Sequence, residues 1–140
     1  MLFVKTFLGK SCEGGIGLFA GEQIKEGKVL WKFSDLTTKV WSTKDYENLK
    51  SSIPAVSFDS ISKYIYMHRS TGLYYLNLDD TRFMSHSINA TVVHRMETWL
   101  DVRYAARDIA FGEELIVYYN EIYDVDTFED YLKKHNCEQC

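Results

Sequence analysis

The chain has 140 residues, with 16 Lys and Arg against 20 Asp and Glu, and a formal net charge of -4. Hydrophobic residues at 46% and charged residues at 26% fit one folded domain and exclude a disordered chain. The acidic balance argues against direct nucleic-acid binding, which needs a surplus of Lys and Arg on one face, and suits a basic partner.

Leu2 to Phe7 alternates loosely and reads as a first strand, and Gly9, Gly14 and Gly15 mark a loop. The apolar start is short and broken by Lys5, too brief for a signal segment or a membrane span. Ile16 to Ala20 and Val29 to Phe33 read as strands around a turn at Gly27, and Thr37 to Trp41 as another β segment. From Ser42 to Ser51 the pattern turns helical: Ser42 or Thr43 can cap, Asp45 falls in the first turn, and Tyr46, Leu49 and Ile53 share a face. Pro54 is a stop signal.

The stretch "SKYIYMHRSTGLYYLNLDD" reads as a hairpin turning at Ser70-Thr71-Gly72. Val92 to Met96 and Trp99 to Ala105 form a second β pair. "RDIAFGEELIVYY" repeats the grammar of the first unit: a charged turn, a glycine, then a β run from Leu115 to Tyr119. Asp126 to His135 is an amphipathic helix, with Phe128, Tyr131 and Leu132 on one face. Many short strands and few helices give a mainly β, β-rich α+β class and disfavour a parallel α/β fold.

Cys12, Cys137 and Cys140 are an odd set without framework spacing, which points to a reducing interior and a soluble intracellular chain. Cys137-x-x-Cys140 has half the spacing of a zinc site, but a tail with two thiols accounts for it as well, and no metal is expected.

Three segments carry chemistry. Gly15-Ile16-Gly17-Leu18-Phe19-Ala20 reads either as close backbone approach to a ligand or as a strand-entry turn. Arg82-Phe83-Met84-Ser85-His86-Ser87-Ile88-Asn89 reads either as a solvated loop or as a loop offering donors and acceptors to a polar ligand. Gly112 to Tyr119 ends in paired tyrosines, which an extended strand would point to opposite faces.

In order and spacing, "GIGLFA", "RFMSHS" and "ARDIAFGEELIVYY" resemble the SET-domain protein lysine methyltransferases, from about Phe3 to Tyr119. The resemblance implies small β-sheets around a pseudoknot, in which the segment of Arg82 to Asn89 threads past the one ending in the tyrosines. It implies a SET domain over residues 1–120, with a variable helical insertion at about 42–60, and a post-SET-like helix and tail over 121–140. The implied cofactor is S-adenosyl-L-methionine, and the implied reaction moves its methyl group to a lysine ε-amine of a basic protein, a histone tail among the candidates. Such a target would put the chain in the cytoplasm or in a host nucleus.

Site residues follow from the same resemblance. Gly15, Ile16, Gly17 and Leu18 would contact the cofactor's methionine part; Arg82, Phe83, Ser85 and His86 belong to the second motif, and Phe128 would cover the adenine. Tyr119 matches the catalytic tyrosine, and Tyr118, where the family often has Asp, would point away. Tyr64, Tyr66, Tyr74 and Tyr75 are candidate channel walls for a lysine stem, with ordinary strand packing as the other reading. His94 and Val117 align with positions that shape the amine pocket. Ser85 stands where the family has Asn, and Ala90-Thr91 where it has Pro-Asn, which leaves a non-catalytic SET-like module binding a basic peptide as the rival reading. The sequence leaves the oligomeric state open, a dimer included.

Overall fold

A computed structural model describes residues 1–12, 14–97 and 100–119. The expected helix at Asp126–His135, Phe128, Cys137 and Cys140 lie outside the described residues.

The chain opens with β1 (Thr6–Lys10) and β2 (Ile16–Ala20), an antiparallel pair in which Thr6 faces Ala20 and Lys10 faces Ile16. The first strand thus starts later than expected, because the pairing partner sets it, and Leu2 forms only an isolated bridge to Trp31. Gly9 belongs to β1 rather than to the loop. Phe19 lies across it, and a Cβ there would stand 2.8 Å from the ring. The loop proper turns at Gly14 and Gly15, with φ of 90° and 78°.

β3 (Val29–Lys32) and β4 (Thr38–Trp41) follow as expected. Helix α1 (Thr43–Ser52) is capped by Ser42, whose Oγ accepts the Asp45 N–H at 3.1 Å. Pro54 ends one helix and opens another, α2 (Ala55–Ser62). Its fixed φ of -55° suits the entry to a helix, where a missing N–H costs nothing. β5 (Tyr66–Met67) and β6 (Tyr74–Asn77) make the expected hairpin, and β4 completes a three-stranded sheet.

A 3₁₀ turn (Asp80–Phe83) leads to β7 (Ser85–His86). β8 (Val92–Glu97) and β9 (Leu100–Ala105) pair antiparallel, and β10 (Ile116–Val117) closes the described chain. The five-stranded sheet runs β3-β9-β8-β10-β7. β10 lies between β7 and β8 and is parallel to both. The β10 segment is therefore inserted between the two strands that the loop 87–91 joins, the arrangement expected of a pseudoknot and a departure from the usual avoidance of threaded connections.

The two glycine units that share one grammar pair with each other. Ile24 and Ile109 exchange both backbone hydrogen bonds, at 2.9 and 2.8 Å, and both side chains are fully buried. With Leu18, Leu30, Val92 and Leu115 they form the core that links the sheets. β10 is shorter than the expected Leu115–Tyr119 run. Leu115 donates back to Leu18, and the Tyr119 N–H goes to an imidazole instead of a strand.

Candidate functional site

The pseudoknot brings the three motif segments to one place. Ser85 Oγ donates to Glu114 Oε1 at 2.5 Å, and Ser11 Oγ lies 2.9 Å from Ser85 Oγ. Ser85 has a single hydroxyl proton, already given to Glu114, so Ser11 is the donor in that second contact. The Cys12 N–H reaches Glu114 Oε2 at 3.4 Å. Gly17 lies directly against this carboxylate: a Cβ there would fall 2.3 Å from Glu114 Oε1 and 3.1 Å from the Ser11 Cβ. The close approach inferred for the glycine segment thus has a partner within the protein, while Gly15 is a turn residue with open space around its missing Cβ.

His86 is buried, and its Nδ1 accepts the Tyr119 N–H at 3.1 Å. Accepting at Nδ1 requires the neutral ring with its proton on Nε2. Burial lowers the pKa of His86 in the same sense, opposed by a backbone hydrogen bond at Val117. Because β10 ends at Val117, the alternation breaks and both tyrosines flank the imidazole, with ring centroids 5.5 Å (Tyr118) and 4.9 Å (Tyr119) from it. Tyr118 therefore does not point away. The Tyr119 hydroxyl is buried and donates to the Met84 carbonyl at 2.7 Å. Val117 is a core residue at 1% exposure.

Other candidate residues fall into separate groups. Arg82 donates to the Leu78 carbonyl at 3.1 Å and lies 4.8 Å over the Phe83 ring, which meets Tyr64 edge-on at 5.2 Å. Tyr74 stacks on Tyr46 of α1 at 4.0 Å. Tyr66 and Tyr75 are buried and stacked at 5.9 Å. Burial pushes the Tyr66 phenol up to about 12, with Arg103 opposing, so it is uncharged. His94 lies against Asp101, in the core beneath the sheet. Ile16 is exposed and Leu18 fully buried.

Sequence reading missed Ser11, Met84 and Glu114 as members of this site. Glu114 and Met84 lay inside named motifs but carried no separate signal. Ser11 lay outside them, and its contact with Ser85, like that of the Met84 carbonyl with Tyr119, is one that only the fold brings about.

A family model described as "SET domain" matches residues 15–120. The chain belongs to the SET-domain family. Among solved structures, a candidate histone methyltransferase of Plasmodium falciparum matches at 20% identity and a TM-score of 0.59, covering 84% of this chain and 95% of that one. The Chaetomium thermophilum Polycomb Repressive Complex 2 matches at 23% identity and 0.60, covering 83% of this chain and 15% of that one. The ctPRC2 assembly in an autoinhibited conformation bound to S-adenosylmethionine matches at 19% and 0.61, covering 95% and 17%. These likenesses show the fold. No curated protein matches the chain in sequence. Family membership supports S-adenosylmethionine-dependent lysine methyl transfer as the general activity. Among the described residues no helix is long and apolar enough to cross a membrane.

Proposed function

We propose that the protein is an S-adenosyl-L-methionine-dependent protein-lysine N-methyltransferase acting on a basic peptide, with a histone tail as the first substrate class to test. The observation that carries this reading is the joint of Tyr119 with His86 and Met84, in which one tyrosine is held by its backbone N–H and by its hydroxyl. The donor set fits the cofactor: the Glu114 carboxylate with the Ser85 and Ser11 hydroxyls suits its ammonium group. Ser85 is shorter than the amide it replaces, and Glu114 supplies the missing acceptor strength. Gly15, Ile16, Gly17 and Leu18 would line the same end.

The cofactor supplies an electrophilic methyl group on a good leaving group. What remains for this chain is positioning and desolvation. A lysine amine has a pKa of about 10.4 and arrives protonated. An apolar channel disfavours the ammonium and helps it shed the proton. Tyr119, fixed by the Met84 carbonyl, presents its oxygen to orient the incoming amine. Neutral His86 holds the Tyr119 backbone without placing a competing positive charge nearby. Tyr64 with Phe83, and Tyr66, Tyr74, Tyr75 and Val117, are the proposed channel and pocket residues; His94, held against Asp101, is left out of that set. Residues 1–120 are proposed as the catalytic domain, and 121–140 as a post-SET-like helix and tail whose Phe128 covers the adenine.

The test is transfer of radiolabelled methyl from S-adenosylmethionine to core histones and to cell extract. Labelling of lysine is expected, with Tyr119→Phe slowing turnover by about a hundredfold. Wild-type protein that binds a basic peptide, yet neither binds the cofactor in calorimetry nor labels any protein, would establish the non-catalytic module instead.

A further inference from the structure

Asp101 and Arg103 share one face of β9, an alternation that in sequence reads as a solvent face. Both are buried, at 4% and 3% exposure. Asp101 Oδ2 lies 3.2 Å from His68 Nε2, and Oδ1 is in close contact with His94 Nε2. Among the described residues neither Asp101 oxygen, nor the facing His68 Nε2, makes a hydrogen bond of good geometry, so the carboxylate is held by close electrostatic contact.

Two histidines and a carboxylate whose ligand atoms lie within 4.8 Å have the composition of a metal site. Two observations argue for protons instead. His68 Nδ1 accepts the Ser70 N–H at 3.3 Å, which puts the ring proton on Nε2, the very atom a metal would need. A metal-bound imidazole does the reverse and donates from its other nitrogen. Charge points the same way. Asp101 and Arg103 cancel, so a dication would leave two uncompensated charges out of water.

The cluster leads toward the tyrosine pocket. Arg103 interacts electrostatically with Asp101 and lies 4.8 Å over the Trp31 ring. Its Nη1 points at Met84 Sδ and its Nη2 at the Tyr66 hydroxyl, each at 3.5 Å. Met84 is the residue whose carbonyl holds the Tyr119 hydroxyl.

We infer that His68, Asp101 and His94 form a metal-free electrostatic anchor for Arg103, and that this anchor positions Met84, and through it Tyr119, for methyl transfer. Asp101 is then a positioning residue: it touches no substrate and acts through the arginine. The turnover part of the inference rests on the methyltransferase reading; the anchor itself does not.

The experiment uses the full chain. Long-range proton–nitrogen NMR should show the Nε2–H tautomer at His68 and His94, and protein incubated with zinc and desalted should retain none stoichiometrically. Asp101→Asn should lower kcat by about tenfold or more, since small misplacements at a reacting centre are costly, while calorimetric cofactor Kd stays within about twofold. His94→Gln keeps an N–H donor and should retain turnover near wild type, whereas His94→Leu should behave like Asp101→Asn. Stoichiometric zinc, an Nε2 without its proton, or wild-type kcat in both Asp101→Asn and His94→Leu would overturn the inference. If wild-type protein transfers no methyl group, the methyltransferase reading fails separately. The anchor is then decided by the tautomers and by the Tyr119 ring resonances, which Asp101→Asn should shift and which, if unmoved, refute it.

Discussion

Gly17→Ala separates a backbone reason for glycine from a packing reason. Gly17 does not have a positive φ, so alanine meets no conformational penalty there. In open space the change would stabilise by roughly 0.4–1 kcal/mol, through the unfolded chain. Here the new methyl would fall 2.3 Å from Glu114 Oε1. The carboxylate must swing away and give up the Ser85 hydroxyl at 2.5 Å and the Cys12 N–H at 3.4 Å. A hydrogen bond to a charged group is worth about 1.5–3 kcal/mol, and half-burial of Glu114 takes the expected net loss to about 1–2 kcal/mol. For a domain of this size that lowers Tm by about 3–8 °C. The assay is urea unfolding of a double-mutant cycle. In a Glu114→Ala background the main obstacle is gone and only the Ser11 Cβ at 3.1 Å must give slightly, so Gly17→Ala should be near neutral, a coupling of about 1–2 kcal/mol. An equal cost of Gly17→Ala in both backgrounds would refute the reasoning and move the cause to the backbone.

Burial opposes ionisation of Asp101, but His68, His94 and Arg103 hold its carboxyl well below the usual range. The unfolded chain therefore takes up that proton first as pH falls: the stabilisation is complete above about pH 5 and drains away below about pH 4. Asp101→Asn should flatten the acid limb of a stability-against-pH curve; an unchanged slope would contradict the assignment. His86 is shifted down by burial, so protonation favours the unfolded chain and stability should fall as pH drops below about 6.5. His86→Asn, which keeps an acceptor for the Tyr119 N–H, should remove that step and cost about 1–2 kcal/mol in lost ring stacking, as read by thermal melts at several pH values. Ser42→Ala should remove about 1 kcal/mol from α1 through its lost cap and leave methyl transfer untouched, which paired unfolding and activity assays check.

The parts legible in the sequence are those decided by local chemistry. β2 and the hairpin turn at Gly72, with φ of 65°, fall where alternation and turn residues placed them. So do the Ser42 cap and the turns at Gly27 and Gly112, whose φ values are 76° and 80°. The motif order identified the family before any contact was known. The first and last strands were misjudged at their ends because a strand's limits depend on its partner: β1 waits for β2, and the Tyr119 amide leaves the ladder for His86.

Length, composition and alternation by themselves determined the β-rich class, while the resemblance carried by three ordered motifs implied which segments meet and which tyrosine stands at their junction. They could not say that Glu114 fills the space over Gly17, that Tyr118 stacks on His86, or that Asp101 and Arg103 are buried. Each of those depends on groups far apart in the chain. Alternating polar residues look solvated in any local reading, and only threading β10 between β7 and β8 and folding His68 under β9 supplies the partners that let charges sit inside. Pattern is a property of neighbours in sequence, whereas desolvation is a property of neighbours in space.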